Sequence, residues 1–479
     1  MQQRIGALLG LAALLSACGG GGGGGGSGAP AGGSGSAGGS TPPPVAACSL
    51  RDRQDWAAAQ LREWYLFPES LPATLNPAGY ASVEAYIDAL TASARAQGRD
   101  RYFTYLTSIA EENAYYQSGS SAGFGIRLSI DATQRRVFVA EAFEGAPALA
   151  AGVDRGTEIL AIGASAATLR PVAEIIAAQG SGGVTDALGP TTPGIVRVLR
   201  VSDAAGQRDI SIAKADFELL PVSTRYGVRI LNDGGRQVGY INLRTFISTA
   251  DPALRNAFAQ LRAAGIDNVI VDLRYNGGGL VSIGALLGDL LGGNRAASDV
   301  FSYTVYRPEK SGENQTRYFQ AQAQSVAPTR IAFIGTSGTA SASELVINAF
   351  TPYLRANSAL IGTNTFGKPV GQIALDRAQC DDRLRVIAFA GQNAARQGDF
   401  YNGLANRVDA TCQAVDDVSR PLGDPQESSV RTALDFLAGR SCTAIGASAQ
   451  ARTMRAPERR ELLSPERPST AQREVPGLF

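Results

Sequence analysis

A serine lies at a predicted turn between a buried strand and a helix. The segment 335–344 reads Gly-Thr-Ser-Gly-Thr-Ala-Ser-Ala-Ser-Glu and follows an apolar run. Backbone N–H groups at the start of a helix are unpaired, so they can hold an oxyanion beside Ser341. The spacing Ser341-x-x-Glu344 is also that of a capping box, which would only start the helix. Taken alone, the segment favours the cap over a catalytic serine.

Two further segments favour a catalytic role for Ser341 over a capping role alone. Asp-Leu-Arg-Tyr-Asn-Gly-Gly-Gly occupies 272–279 after another apolar run, and its glycines let the backbone approach a substrate closely. Phe-Gly-Lys-Pro-Val-Gly-Gln occupies 366–372 and contains Lys368. A serine needs a base before it can act as a nucleophile. Lys368 is therefore a candidate base, and a solvated loop charge is the alternative.

The composition restricts what that base can be. The chain has 479 residues and no histidine, which excludes Ser-His-Asp and Cys-His catalytic groups and histidine-ligated metal sites. Of its 44 basic residues, three are lysines, at 214, 310 and 368, and arginine stays protonated. A desolvated, neutral Lys368 is the most suitable substitute for histidine. The net charge of +1 gives no electrostatic case for binding nucleic acid.

Together, the three segments resemble the carboxyl-terminal-processing (tail-specific) serine proteases. The resemblance covers most of 120–375 and implies a crotonase/ClpP-like α/β core. It places the nucleophile on Ser341 and the general base on Lys368. It also places the glutamine that orients the lysine on Gln372.

The same resemblance implies an oxyanion hole made of the N–H groups of Ala342 and of Gly279 or Gly278. Two residues depart from the family's pattern. Gly277 stands where proline is common, and Pro369 replaces the usual glycine after the lysine and fixes φ there. Neither departure removes a catalytic group. The implied reaction needs no metal and no organic cofactor.

From 123 onward, short strands punctuated by glycine resemble a PDZ domain of bacterial proteases. The run 144–162 contains Glu-Gly-Ala-Pro-Ala, then Ala-Gly-Val, and then a strand. Such a module accepts an extended peptide along an exposed strand edge. The resemblance places the peptide-binding loop and strand on Phe124, Gly125 and Ile126. A small β-domain that only packs or gates is the alternative.

The first residues are typical of exported bacterial lipoproteins. Arg4 precedes a short apolar run, and Leu-Ser-Ala-Cys at 15–18 resembles the lipoprotein cleavage box. The resemblance implies lipid on Cys18, and the glycine-rich stretch after it predicts a flexible tether. Gly19 in place of aspartate resembles the pattern of outer-membrane lipoproteins. We therefore expect a body anchored to the bacterial envelope and facing the periplasm.

Four further cysteines, Cys48, Cys380, Cys412 and Cys442, allow two disulfides with three connectivities in an oxidising compartment. The preferred pairing joins Cys380 to Cys412 in a local loop. It joins Cys48 to Cys442 across the two ends of the folded body. Free buried thiols are the alternative.

Composition and periodicity divide the chain into six segments. They are a signal peptide (1–17), a Gly/Ser/Pro-rich tether (18–47), a small N-terminal helical domain (48–118), an inserted PDZ-like β-domain (119–215), the protease core (216–446) and a disordered tail (447–479). Alternating strands and helices after 217 predict an α/β layered core. The tail has few apolar residues, which predicts disorder. Its last five residues include Val475, Leu478 and Phe479, so weak occupation of the predicted groove is an alternative to an inert, solvated tail.

The sequence thus predicts a lipid-anchored serine endopeptidase that cleaves polypeptides by a Ser-Lys mechanism and selects them through their C-termini. A non-catalytic peptide-binding adaptor on a degenerate protease fold is the alternative, and the joint presence of Ser341, Lys368 and Gln372 argues against it. An acyl-CoA enzyme of the crotonase type is a second alternative. The export signal argues against that one, because acyl-CoA is cytoplasmic. The residues give no indication of an oligomeric state.

Overall fold

A computed structural model describes residues 48–446 and 460–479. The predicted signal peptide, the tether and the lipid-carrying Cys18 lie outside the described residues. Within the described ranges, no helix is both long enough and apolar enough to cross a membrane. The described residues group as one compact unit.

The described residues contain helices throughout the body. The α-helices are α1 (Leu50–Trp64), α2 (Val83–Leu90), α3 (Ala92–Ala96), α4 (Ile109–Ser118), α5 (Pro147–Ala150), α6 (Val172–Leu188), α7 (Ala250–Ala263), α8 (Val281–Leu291), α9 (Ala342–Leu354), α10 (Ser428–Leu437) and α11 (Thr470–Glu474).

The strands form three larger sheets and one short pair. They are β1 (Tyr105–Ser108), β2 (Ser120–Gly123), β3 (Ile126–Asp131), β4 (Arg136–Ala142), β5 (Glu158–Gly163), β6 (Arg170–Pro171), β7 (Val196–Asp203), β8 (Gly206–Ala213), β9 (Ala215–Glu218), β10 (Val228–Asp233), β11 (Arg236–Asn242), β12 (Asn268–Asp272), β13 (Val300–Tyr306), β14 (Gln315–Tyr318), β15 (Arg330–Gly335), β16 (Ser358–Gly362), β17 (Val370–Arg377), β18 (Asp382–Gln392), β19 (Thr411–Gln413) and β20 (Glu461–Leu462).

The central sheet has the order β10-β11-β12-β15-β16-β19 and is parallel from β11 onward. Side chains of a strand alternate between the two faces. Val269 and Val271 pack in one core with helices α7, α8 and α9, whereas Ile270 packs in a second core with α10. The predicted α/β layered core is confirmed, with helices covering both faces of a buried sheet.

The N-terminal helices do not form a separate layer. Helices α1 and α2 pack against strand β18, and Leu61, Tyr86 and Leu384 share one buried cluster. Strand β1 pairs with β18 in the second sheet. The predicted helical domain 48–118 is therefore continuous with the sheet that carries β17 and β18.

A separate β-domain spans the segment predicted to be PDZ-like. Its sheet has the order β20-β3-β4-β5-β7-β8, and α6 packs on it. One edge strand of the domain, β3, pairs with residues from the last part of the chain.

The prediction of a disordered tail is wrong for 460–479. This stretch contains β20 and α11, and its apolar side chains Leu463, Val475, Leu478 and Phe479 are almost completely buried. The average composition of the tail is polar, and its apolar residues are spaced apart along the chain. They therefore form no apolar run that would predict packing.

The preferred disulfide pairing is also wrong. The structure joins Cys48 to Cys380 and Cys412 to Cys442. Helix α1 packs on β18, which brings Cys48 to the turn that precedes that strand. Cys412 lies on β19 in the central sheet, away from Cys380, and the segment around Cys442 runs beside β19. Proximity along the chain in fact favours the observed pair, because Cys442 lies 30 residues from Cys412. Cys380 lies slightly further away, in the turn between β17 and β18.

Candidate active site

The three predicted site segments follow three neighbouring parallel strands. Segment 272–279 begins at the end of β12, the serine loop follows β15, and the lysine loop follows β16. These strands are adjacent and in register, with Asp272 beside Ile334 and Gly335 beside Gly362. Loops at the carboxyl ends of adjacent parallel strands meet at one edge of the sheet, which is where such folds place their sites. The topology therefore brings the three segments together.

Ser341 lies directly before α9. Its backbone has φ 54° and ψ −116°, a conformation that costs a non-glycine residue free energy. Its N–H donates to the Glu344 carboxylate at 3.1 Å. The side chain is only partly buried. Strain of this kind concentrates where a side chain must be presented in a fixed direction.

Lys368 is held by the glutamine that the sequence pairs with it. Its Nζ donates to Gln372 Oε1 at 2.9 Å, and the Gln372 amide donates to the Phe103 carbonyl. The amine also lies 5.0 Å from the centre of the Phe103 ring. Burial lowers the pKa of Lys368 from its ordinary value of 10.5. A lowered pKa is what a lysine base needs.

Glu344 connects the serine and lysine segments, a role that sequence reasoning missed. Its Oε2 accepts the N–H groups of both Ser341, at 3.1 Å, and Lys368, at 2.7 Å. Its Oε1 accepts the N–H of Gly367 and the hydroxyl of Thr365. Burial raises the pKa of this carboxyl, and the four donors oppose that effect. The capping residue thus also fixes the distance between the candidate nucleophile and base.

Gly278 lies against the serine. A Cβ at Gly278 would come within 2.7 Å of the Ser341 Cβ, and the residue has φ 122°, so glycine is required there. Its N–H donates to the side-chain oxygen of Asn276 at 2.9 Å. This hydrogen bond removes Gly278 from the candidate oxyanion donors.

The other two candidate donors are unengaged. In the part of the chain that the structure describes, the N–H groups of Ala342 and Gly279 have no acceptor. The neighbouring Gly277 N–H, which the sequence did not single out, donates to the carbonyl of Glu474 at 2.9 Å. The glycine loop therefore already binds one peptide carbonyl.

Buried charges hold this loop in place. The Arg274 guanidinium is fully buried and contacts Asp272 at 2.8 Å, Glu427 at 2.9 Å and Asp416 at 3.1 Å. The Tyr275 hydroxyl donates to Asp416. Such a network is costly to break because it would leave buried charges unpaired. Asp272 and Arg274 of the motif thus support the glycine loop rather than take part in chemistry.

Two of the three predicted peptide-binding residues contact an extended segment. The N–H groups of Gly125 and Ile126 donate to a main-chain oxygen of Phe479 at 2.9 and 3.1 Å, and the Phe479 N–H donates to the Ile126 carbonyl at 2.8 Å. Phe124 is instead buried in the core of the β-domain. The edge of β3 at Gly125 and Ile126 is therefore paired with a segment of the same chain.

Lys368 and the glycine loop border a cleft of about 480 Å³. Phe103, Ala340 and Gly277 also line it, and so do residues of the last part of the chain. Among the described residues, no hydrogen bond joins the Ser341 hydroxyl to the Lys368 amine, which donates to Gln372 instead. Such bonds are often long in an enzyme without substrate and tighten in the reacting complex.

Comparisons with known proteins agree with this geometry. Residues 237–390 match the family model described as "Peptidase family S41". The chain is 26% identical over 324 residues to a carboxyl-terminal-processing protease of Synechocystis, a match that covers 67% of this chain and 70% of the relative. It is 24% identical over 384 residues to the chloroplastic carboxyl-terminal-processing peptidase 3 of Arabidopsis thaliana, covering 79% of this chain and 69% of the relative.

A solved structure supports the fold. A crystal structure described as an S41 protease of Bacteroides fragilis superposes with a TM-score of 0.62 at 21% identity, covering 80% of this chain and 97% of that one. At this identity the likeness concerns the fold alone. It includes the α/β core that was predicted from the alternation of strands and helices. Residues 237–390 therefore match peptidase family S41, and the chain is similar to carboxyl-terminal-processing proteases over about two thirds or more of its length.

Proposed function

We propose that this protein is a serine endopeptidase with a Ser341–Lys368 catalytic pair. The observation that carries the proposal is that the N–H groups of Ser341 and Lys368 share one oxygen of Glu344, while Gln372 holds a lysine whose pKa is lowered by burial. The family match supplies the protease activity. The chain has no histidine, so a lysine base is the remaining choice of this type.

The reaction proceeds in two halves. Ser341 Oγ attacks the scissile carbonyl carbon while its proton passes to the neutral amine of Lys368. The N–H groups of Ala342 and Gly279 stabilise the oxyanion of the tetrahedral intermediate. Lys368 then returns the proton to the leaving amine as the C–N bond breaks, which leaves an acyl-enzyme. Water, deprotonated by Lys368, attacks the acyl-enzyme, and Ser341 recovers its proton as the acid product leaves.

The β-domain is proposed to select substrates as a PDZ-like module. Strand β3 offers an edge to an extended peptide, with the N–H groups of Gly125 and Ile126 directed at its end. The site beside them lies in a core of apolar side chains that includes Phe124, Leu128 and Ile176. An apolar last residue therefore fits this groove better than a charged one.

Substrate selection can be measured with matched peptides. Of two otherwise identical peptides, one ending in Leu-Phe and the other in Asp-Asp, the first should be cleaved with a kcat/KM at least tenfold higher. Burial of one large apolar side chain contributes about 1.5–3 kcal/mol, which corresponds to a factor of ten or more. The measurement is initial cleavage rate by mass spectrometry, with Ser341→Ala as the blank.

Two results would reject parts of this proposal. Equal rates for the two peptides would show that the β-domain does not select substrates by their C-terminal residues. Cleavage that persists in Ser341→Ala would remove Ser341 as the nucleophile. Binding of the Leu-Phe peptide without any cleavage by the unaltered chain would favour the non-catalytic adaptor.

We also propose that lipid on Cys18 anchors the protein to the bacterial envelope, most simply to the outer membrane with the body in the periplasm. The support is the cleavage-box sequence at 15–18 and the glycine-rich stretch that follows. In a bacterial host, Cys18→Ser should abolish incorporation of labelled fatty acid and move the chain from the membrane to the soluble fraction. Peptidase activity per molecule should remain, because the residues of the candidate catalytic pair, Ser341 and Lys368, lie far from Cys18 in the sequence. A Cys18→Ser chain that still sediments with membranes would contradict the anchor.

A further inference from the structure

The stretch 461–479 lies along the whole open edge of strand β3. Strand β20 pairs with Ile130 and Ser129, and the N–H of Leu463 donates to Leu128. The chain then leaves the edge and returns to it, where the N–H of Leu128 donates to the carbonyl of Gly477 at 2.8 Å. The bonds from Gly125 and Ile126 to Phe479 complete the ladder. The groove proposed for substrates is thus filled from end to end.

Between these two contacts, the same stretch crosses the catalytic cleft. The carbonyl of Glu474 accepts the Gly277 N–H, and the Arg473 guanidinium donates to the Tyr102 carbonyl at 2.9 Å. A Cβ at Gly277 would lie 2.3 Å from the carbonyl oxygen of Arg473. The backbone of this stretch is therefore packed directly on the glycine loop.

Burial of apolar side chains holds the stretch in place. Leu478 packs with Tyr115, Phe143 and Phe217, and Val475 lies in the same cluster. Phe479 packs in the core of the β-domain. Each fully buried side chain of this size contributes about 1.5–3 kcal/mol. The contact is thus a packed interface rather than a loose approach.

The stretch also places a charge beside the catalytic lysine. The Glu474 side chain is buried and accepts the Tyr116 hydroxyl at 3.0 Å. Burial lowers the pKa of Lys368, and the carboxylate of Glu474 acts in the opposite direction, more than any other neighbouring charge. The carboxylate of Glu474 therefore opposes the effect of burial and makes Lys368 harder to deprotonate than burial alone would.

We propose that residues 461–479 are an intramolecular competitor that occupies the recognition groove and the catalytic cleft until a substrate displaces them. The occupancy itself stands on the contacts above. Its consequence for turnover rests on the function proposed in the preceding subsection.

The size of the effect follows from the tether. A segment attached through a short linker has an effective concentration in the millimolar range, on the order of 1 mM. If a free peptide of the same sequence binds with a Kd of about 10–100 μM, chains with the stretch in the groove outnumber chains with an empty groove by about 10- to 100-fold. The KM for a substrate should be raised by the same factor.

Peptide binding tests the occupancy without relying on activity. The probe is a fluorescein-labelled peptide with the sequence of residues 470–479, and the protein is the full chain carrying Ser341→Ala so that the probe is not cleaved. Binding is measured by anisotropy for this chain and for the same chain with Leu478→Asp and Phe479→Asp. The control is Arg467→Asp, which introduces the same residue at an exposed position of the same stretch.

The altered chain should bind the probe 10- to 100-fold more tightly than the unaltered and Arg467→Asp chains. Its circular dichroism and its melting transition will show that the body remains folded. Equal affinity for all three chains would overturn the proposal. If the double substitution unfolds the body, Leu478→Ala in the Ser341→Ala chain replaces it, because it removes one buried side chain of the competing stretch and introduces no charge. Unchanged probe affinity in Leu478→Ala would then overturn it.

Kinetics with Ser341 intact test the consequence. The chain with Leu478→Asp and Phe479→Asp should show a KM 10- to 100-fold lower for a peptide that ends in Leu-Phe, with little change in kcat. Lower probe affinity in the unaltered chain together with an unchanged KM would overturn the inhibitory role. A complete lack of cleavage by every chain would reject the peptidase function and leave the binding result intact.

Discussion

Ser341→Ala and Lys368→Ala should each reduce kcat for peptide hydrolysis by about 10⁴- to 10⁶-fold. The alanine chain at 341 has no nucleophile, and the one at 368 has no group that can take the proton of the serine. Residues that act as a unit are not additive, so the double variant should be little slower than either single variant. Lys368→Arg should be equally inactive, because guanidinium does not release its proton to become a base.

The matched control for the base is the lysine at 310. Lys310 pairs with Glu63 and lies over the Trp64 ring, away from the cleft. Lys310→Ala should keep full activity, and all variants should retain the melting temperature of the parent within a few degrees. More than a tenth of the parent kcat in Lys368→Ala would end the proposal of a Ser-Lys pair.

The three segments of the candidate site could be recognised in the sequence because each is short and local. In each segment, the strand and the loop that follows it lie within about ten residues. The topology of a parallel sheet then places such loops at one edge of the sheet. Lys368 was predicted as the base from the composition, which has three lysines and no histidine, and from the family resemblance. Local sequence pattern and composition were thus enough to predict most of the candidate site.

Glu344 shows where a local pattern has two meanings. Its spacing from Ser341 predicts a capping residue, and the structure shows the expected bond from the Ser341 N–H. The same carboxylate also accepts N–H groups of Gly367 and Lys368. Nothing in the local pattern predicts these partners, because they lie more than 20 residues further along the chain. The alternatives of cap and site were therefore not exclusive.

The features that sequence reasoning missed all depend on contacts between distant segments. The disulfide from Cys48 to Cys380 spans 332 residues and requires α1 to pack on β18. The last stretch of the chain was expected to be disordered because its average composition is polar. Its few apolar residues are buried by surfaces of the β-domain and of α4 that the stretch itself does not reveal.

The second large effect expected is on pH dependence. Only neutral Lys368 can accept the proton of Ser341, so kcat/KM should rise tenfold per pH unit below the pKa of Lys368 and level off above it. Burial places that pKa below 10.5, so the plateau should begin at a lower pH than it would for an exposed lysine. The measurement is kcat/KM for one peptide between pH 5 and 10. Because the chain has no histidine, an activity maximum near pH 5 would contradict a lysine base.

The pH profile also tests the influence of the charged groups around Lys368. After burial, the carboxylate of Glu474 has the largest influence and raises the pKa, Arg473 lowers it, and Asp100 and Glu344 raise it. Glu474→Gln keeps the shape of the side chain and removes its charge, so the midpoint of kcat/KM, which reports the free enzyme, should shift to lower pH. The midpoint of kcat reports the substrate complex, from which the stretch 461–479 has been displaced, and it should stay in place. Equal shifts in both midpoints would mean that Glu474 remains beside the lysine while substrate is bound, which contradicts displacement.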